Sequence, residues 1–315
     1  MVGEWAAIGR NLENWMSCLP EEICRSVPII HLAIPGSHVS ASYTIDMGSA
    51  VSPDCQTLVT TVGSLIKPLL LKWAVTQSSS IAEQLRTGVR YLDLRVASCP
   101  KGKQIHVVHG LYGGQIYDIL IEVDMFLRSH KHEMVIVDFQ RFYKFSPTNH
   151  TQLRETVKGI FGNKLCPLPT CLFNLTLSSM REQGYQAVVI YREQNLMPKD
   201  DTELLWPSRS WLVYRPISVD ASTMLRELER DVARRPSGAQ GYISVCAITP
   251  NSTFMQKNVM SNHSDACVKP CQSVIIPWID IHRSGHARFN VLVTDFVDSI
   301  PFCETVIALN RKLLR

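Results

Sequence analysis

Short apolar runs alternate along this chain with longer stretches in which apolar positions recur at helical spacing. Eight runs have the length and β-branched content of strands: 29–34, 89–96, 104–109, 134–139, 186–191, 211–214, 241–248 and 290–296. Between them the spacing predicts helices. Residues 81–87 open with a capping box, Ser80 and Glu83, and stop at Gly88. Helical patterns follow at 115–129, 151–161, 177–183, 221–234 (after a capping Asp220), 274–282 and 302–313. Strands that read as continuous apolar runs are covered on both faces, which is the habit of a parallel sheet wrapped by helices. A closed (β/α)₈ barrel of the TIM type fits best, and an open doubly wound sheet is the alternative. No glycine-rich phosphate loop follows any strand, which disfavours dinucleotide and P-loop folds.

Composition narrows this picture only modestly. With 45% hydrophobic and 19% charged residues the 315-residue chain can bury a large core, and no linker-like run divides it, so residues 1–315 read as one domain. Residues 1–27 form an N-terminal extension expected to pack on the barrel. A net charge of +4 suits an anionic membrane surface but is too small and scattered for nucleic acid. Only Cys166/Cys171 and Cys267/Cys271 are close pairs among ten cysteines, and neither has a zinc-ligand partner pair. Free thiols in a reducing compartment are therefore expected. Glu4, Arg10 and Glu13 interrupt the N-terminus, so no signal peptide is read there, and the sequons at Asn149, Asn174, Asn251 and Asn262 are set aside. The most apolar stretch, 62–71, holds Lys67 and Pro68 and is too short to span a bilayer. With Trp73 adjacent, it reads either as a segment dipping into a membrane interface or as an amphipathic core helix. A cytoplasmic protein with transient peripheral membrane contact is expected.

In a barrel, chemistry gathers at the C-terminal ends of the strands. Those ends carry Pro35-Gly36-Ser37-His38, Asp93-Leu94-Arg95, His109-Gly110, Asp138-Phe139-Gln140, Tyr191-Arg192 and Thr294-Asp295. Two histidines, two arginines and carboxylates at one rim suit the cleavage of a phosphodiester by a neighbouring hydroxyl. Histidine moves protons near neutrality, and arginine holds phosphate through a planar fork that keeps its charge. A single histidine near a strand end is usually structural, as read here for His31 and His106; the combination carries the argument.

The motifs Pro35-Gly36-Ser37-His38, Gln84 through Arg95, and His109-Gly110 resemble the X region of phosphoinositide-specific phospholipases C. Trp15-Met16, Lys72 through Gln77, Phe161 through Pro167, Leu205-Trp206-Pro207 and Thr294 through Asp298 resemble the animal subgroup whose X domain stands alone. The resemblance implies a distorted (β/α)₈ barrel that cleaves phosphatidylinositol to diacylglycerol and an initially cyclic inositol phosphate. It further implies His38 as base for the inositol 2-hydroxyl, Asp295 as its orienter, Arg95 as phosphate clamp and His109 as acid. Arg192 matches a head-group-contacting arginine, with Asp93 and Gln140 beside it. The large eukaryotic members bind calcium through an Asn after the first histidine and through acidic residues, two of which correspond to Arg95 and Gln140 here. A guanidinium at a ligand position repels a hard cation, so metal-independent chemistry without a cofactor is expected. One departure is Val39, where metal-independent relatives place an aspartate that assists the second histidine. Valine accepts no hydrogen bond, so a weakened acid step is expected, or in the alternative an impaired phosphoinositide- or inositol-phosphate-binding protein. A metal-dependent glycerophosphodiesterase is disfavoured by Arg95 and Gln140.

Overall fold

In the computed structural model, residues 11–55, 67–99, 104–193, 201, 203–235, 240–258, 260–282 and 289–313 are described. The strands are β1 (Ile34–Ser37), β2 (Tyr91–Ser98), β3 (Ile105–His109), β4 (Leu111–Gln115), β5 (Val135–Tyr143), β6 (Ala187–Tyr191), β7 (Leu205–Trp206), β8 (Trp211–Tyr214), β9 (Gly241–Val245) and β10 (Val291–Thr294). Eight of them run parallel in the order β7-β6-β5-β2-β1-β10-β9-β8, with helices along the outside. Every residue of β1, β6, β9 and β10 is buried, and β6 and β10 accordingly read as nearly unbroken apolar runs. Among the described residues no ladder joins β7 to β8. Their edges meet through stacked indoles instead, with Trp206 and Trp211 at 5.9 Å between ring centroids. The architecture is thus a TIM-type barrel with one open seam.

The sequence reading needs three corrections. Residues 29–31 form a 3₁₀ turn and the strand begins only at Ile34. The Asn290 amide accounts for this turn, donating to the carbonyls of Ile29 (3.0 Å) and Leu32 (2.9 Å). His31 therefore sits in the turn, edge-on to Phe173, rather than inside a strand. The run 104–109 is not a barrel strand: β3 pairs antiparallel with β2 and continues into β4 as a hairpin. The short Leu205–Trp206 strand supplies the missing eighth. Two helices also start earlier than their apolar periodicity, at Pro147 and Lys269, because proline is favoured in a first helical turn. Of the stretch 62–71, residues 62–66 lie outside the described residues. The helix Lys67–Ala74 buries Leu70, Trp73 and Ala74, so its described part behaves as a packing helix.

Below the strands, residues 11–27 close the N-terminal end. The Trp15 indole donates to the Gly88 carbonyl at 2.9 Å, and Glu133 accepts the amides of Met16 (3.3 Å) and Ser17 (2.8 Å). Glu133 also pairs with Arg90 at 2.8 Å, both side chains being fully buried. Such a pair tolerates the loss of neither partner. All ten cysteines are free thiols. Among the described residues no helix is long and apolar enough to cross a membrane.

The seam gives a direct test. A Cβ at Gly241 would lie 1.9 Å from the Trp211 ring. Gly241→Ala must displace the indole that bridges the open edges, and should cost about 3 kcal/mol, read as a lowered midpoint in chemical denaturation.

Candidate active site

The parallel register of β1 and β10 pairs Ser37 with Thr294, so the residues that follow them emerge side by side. Gly36 permits this approach, since a Cβ there would lie 2.8 Å from Tyr91 and 2.9 Å from Val293. His38 Nδ1 then meets Asp295 Oδ1 at 2.6 Å. Toward Nε2 come two guanidiniums, Arg95 at 3.0 Å and Arg215 at 2.5 Å. A guanidinium only donates, so Nε2 holds a lone pair and the proton sits on Nδ1, directed at Asp295. Burial lowers the pKa of His38, and the charges of Arg215 and Arg95 add to that against the upward pull of Asp295.

Two backbone features fix this pair. Val39 and Phe296, the residues that follow His38 and Asp295, have positive φ of 42° and 45°. Left-handed backbone is costly for a β-branched or bulky residue and persists only where the surroundings enforce it. Thr76 and Gln77 supply the enforcement. Thr76 Oγ1 and Gln77 Nε2 both donate to the His38 carbonyl, at 2.9 and 3.1 Å. Gln77 also donates to the Thr294 carbonyl (3.0 Å) and accepts the Val297 amide (3.2 Å).

The pair opens into a cavity of about 920 Å³ whose wall includes His38, Arg95, His109, Gln140, Arg192 and Arg215. Asp93 and Asp295 stand behind that wall. Asp93 is buried, with Oδ2 at 3.7 Å from Arg95, 3.4 Å from Arg215 and 3.8 Å from His38 Nε2. Burial alone would raise its pKa, but the Arg95 and Arg215 guanidiniums hold it below the usual value. Across the cavity Arg192 grips Asp138 with both nitrogens, at 2.9 and 2.6 Å, and Gln140 Nε2 donates to Asp138 at 2.8 Å and to the Tyr91 hydroxyl at 2.9 Å. Asp93 and Asp138 are thus already matched by arginines. Among the described residues no three His, Cys, Asp or Glu side chains converge as metal ligands.

His109 enters from the β3–β4 hairpin, at whose turn Gly110 has φ 72°. Its Nδ1 donates to the Ala74 carbonyl at 2.7 Å, and its ring lies edge-on to His38 at 6.3 Å. Burial, then the charge of Arg95, lower its pKa to about 3. Asp46, the first carboxylate after Val39, caps its own turn through Gly48 at 2.7 Å and is exposed. Asp54 instead accepts the Gly110 amide at 2.9 Å and lines the cavity. His106 bonds the Gly113 carbonyl at 2.9 Å, a structural role as expected.

Two residues of the site were missed by sequence reasoning. Arg215 follows the last residue of β8, so the strand-end rule that found Arg95 and Arg192 identifies it too. His263 has helical backbone at the start of the helical turn Ser264–Val268, which runs on into the helix Lys269–Ile281, and its Nε2 meets Asp295 Oδ2 at 2.8 Å. No local motif marks it.

The depressed His109 gives the testable consequence of this geometry. In a ¹⁵N imidazole NMR titration its ring should stay neutral at about pH 5, where an unperturbed histidine is almost fully protonated. A midpoint near the ordinary value overturns the assignment of burial and Arg95 as its controlling influences.

Residues 68–192 match the family model described as phosphatidylinositol-specific phospholipase C, X domain. The mouse protein named PI-PLC X domain-containing protein 2 is 34% identical over 95% of this chain and 88% of its own length. The human proteins named PI-PLC X domain-containing protein 3 and 1 are 31% and 32% identical, covering 95% and 96% of this chain and 94% and 93% of their own. Among solved structures, a phosphatidylinositol-specific phospholipase C of Staphylococcus aureus superposes with a TM-score of 0.67 at 16% identity, covering 96% of this chain and 98% of that one. The Listeria monocytogenes enzyme gives 0.65 at 16% identity, covering 95% and 98%. The structural likeness bears on the fold, and the sequence likeness runs nearly end to end: the chain belongs to the PI-PLC X domain family, beside the animal proteins named for that domain.

Proposed function

We propose that this protein is a metal-independent phosphodiesterase that cleaves phosphatidylinositol to diacylglycerol and a cyclic inositol phosphate. The observation that carries the reading is the neutral His38, held by Asp295 at 2.6 Å with its Nε2 lone pair turned into the cavity between Arg95 and Arg215. In this mechanism Nε2 takes the proton of the inositol 2-hydroxyl, and that oxygen attacks phosphorus as the bond to the glycerol oxygen breaks. Arg95, with Arg215, moves from His38 onto the phosphoryl oxygens and stabilises the charge that grows there. His109 delivers a proton to the departing glycerol oxygen. Arg192 and Gln140, with Asp138 behind them, shape the head-group side, while Asp93 orients Arg95 and Arg215 on the opposite wall. Because arginines already pair with Asp93 and Asp138, the positive charge a metal supplies elsewhere comes from side chains.

The weak element is the acid. With a pKa near 3, His109 is overwhelmingly unprotonated at neutral pH. Val39 offers it no hydrogen bond and lines a small gap with Arg95 and Val107. This favours a second reading, a slow enzyme or an inositol-phosphate-binding protein. Cleavage of labelled phosphatidylinositol in EDTA separates the two. The first reading expects product at a rate about 10³-fold above His38→Ala, and a rise of about 10-fold or more in Val39→Asp at neutral pH. No product above the His38→Ala background sinks the enzymatic reading. An unchanged rate in Val39→Asp shows that the acid is not limiting.

Peripheral membrane contact by a cytoplasmic protein completes the proposal. Ile217 at the cavity wall is 88% exposed, and Met260, three residues before His263, is 91% exposed. A large apolar side chain exposed at the cavity wall suits insertion among acyl chains, and Met260 is a second exposed one close in sequence to a cavity residue. Ile217→Asp with Met260→Asp should weaken sedimentation with phosphatidylinositol vesicles about 10-fold or more while leaving the fold intact by circular dichroism. Unchanged sedimentation removes these residues from the contact.

A further inference from the structure

Both oxygens of Asp295 are used, and only one is accounted for by the mechanism above. Oδ1 faces His38 Nδ1 at 2.6 Å; Oδ2 faces His263 Nε2 at 2.8 Å. Resting on the reading of His38 as general base, we propose that His263 is a positioning residue: a cationic imidazole that locks the Asp295 carboxylate from the far side and neutralises it, so that His38 is oriented without being made too basic to release its proton.

The geometry supports a held rather than a loose ring. The His263 side chain is 5% exposed, edge-on to Trp73 at 6.1 Å and tilted over Phe296 at 6.4 Å. Phe296 is the left-handed residue that follows Asp295, so one ring meets both the carboxylate and the side chain of the residue whose backbone aims it. His263 Nδ1 is buried without a hydrogen bond of proper geometry among the described residues. The Cys267 thiol is the titratable group on that side. Burial pushes the His263 pKa down, but Asp295 overrides it and raises it to about 10, so the ring is charged at neutral pH. Asp295 is itself held far below the usual carboxylate range, because His38 and His263 outweigh its burial.

The sign of the consequence follows. An unneutralised carboxylate at Nδ1 raises a histidine pKa; a fixed cation on the other oxygen offsets that pull. The remaining charged or titratable groups facing His38 are Arg95, Arg215, Asp93 and His109, and those facing Asp295 include Arg215 and the Cys271 thiol. All of them stay in place when His263 is changed, and His109, whose pKa the His263 charge also lowers, shifts upward with His38. Removing its charge should therefore raise the pKa of His38 and move the acid limb of any rate profile to higher pH.

Two substitutions in the full chain separate charge from position. His263→Gln places an amide nitrogen near the former Nε2 without charge, and His263→Phe removes donor and charge together. The ¹⁵N resonances of His38, identified by their loss in His38→Ala, are titrated in each variant, and kcat/KM on phosphatidylinositol vesicles in EDTA is followed against pH. The His38 midpoint is expected to rise by about one pH unit in His263→Gln, with the acid limb of kcat/KM moving the same way. His263→Phe is expected to lower kcat about 10-fold further, as Asp295 loses its anchor. A His38 midpoint that stays in place in His263→Gln overturns the proposal, whatever His263→Phe does to stability. If the wild-type chain turns over no lipid, the phosphodiesterase reading fails, and the NMR titration still decides the role of His263.

Discussion

The contact between His38 and Asp295 joins residues 257 positions apart, and it exists only because the first and last strands of the barrel lie side by side. The Ser37–Thr294 pairing brings the two strand ends together, Gly36 lets neighbouring side chains crowd against the backbone, and Gln77 ties both loops to a third segment. Closure of the sheet and assembly of the site are thus one event. A chain that pairs β1 elsewhere loses both, and the entropy of so distant a closure is recovered only when the whole core between them has packed.

Around that contact, charge is arranged in opposed layers. Carboxylates Asp93, Asp138 and Asp295 stand behind the wall, and Arg95, Arg192 and Arg215 stand in it. Each buried charge is expensive alone, so the layers stabilise one another. The net effect at His38 is a neutral imidazole between a carboxylate that fixes its proton and arginines that discourage a second one.

Much of this was legible in the sequence because strand ends are local. His38, Arg95, Arg192 and Asp295 were each placed by a short apolar run followed by a polar residue. Arg215 obeyed the same rule after β8 and was passed over. Other features were not local. The run ending at His109 has the composition of a barrel strand, and only its antiparallel pairing with β2 shows it to be a hairpin that delivers the histidine from the side. Leu205–Trp206 is too short to register as a strand, yet it forms the sheet edge. The run from Ile29 has the apolar content of a strand but turns, because a distant amide, Asn290, claims the carbonyls of Ile29 and Leu32. His263 stands at the start of a helical segment, and its partner lies 32 residues ahead. Periodicity carries no information about such pairings.

Position 39 carries a consequence for comparing relatives. Its backbone is left-handed, with φ 42°. Aspartate and asparagine tolerate that conformation far better than valine, at a difference of about 1 kcal/mol or more. An aspartate after the first histidine is therefore favoured by chain geometry alone, before any proton is moved. Its presence in one protein and absence in another is a mixed record of conformational fitness and chemistry. A chain that keeps valine there bears a backbone cost every time it folds.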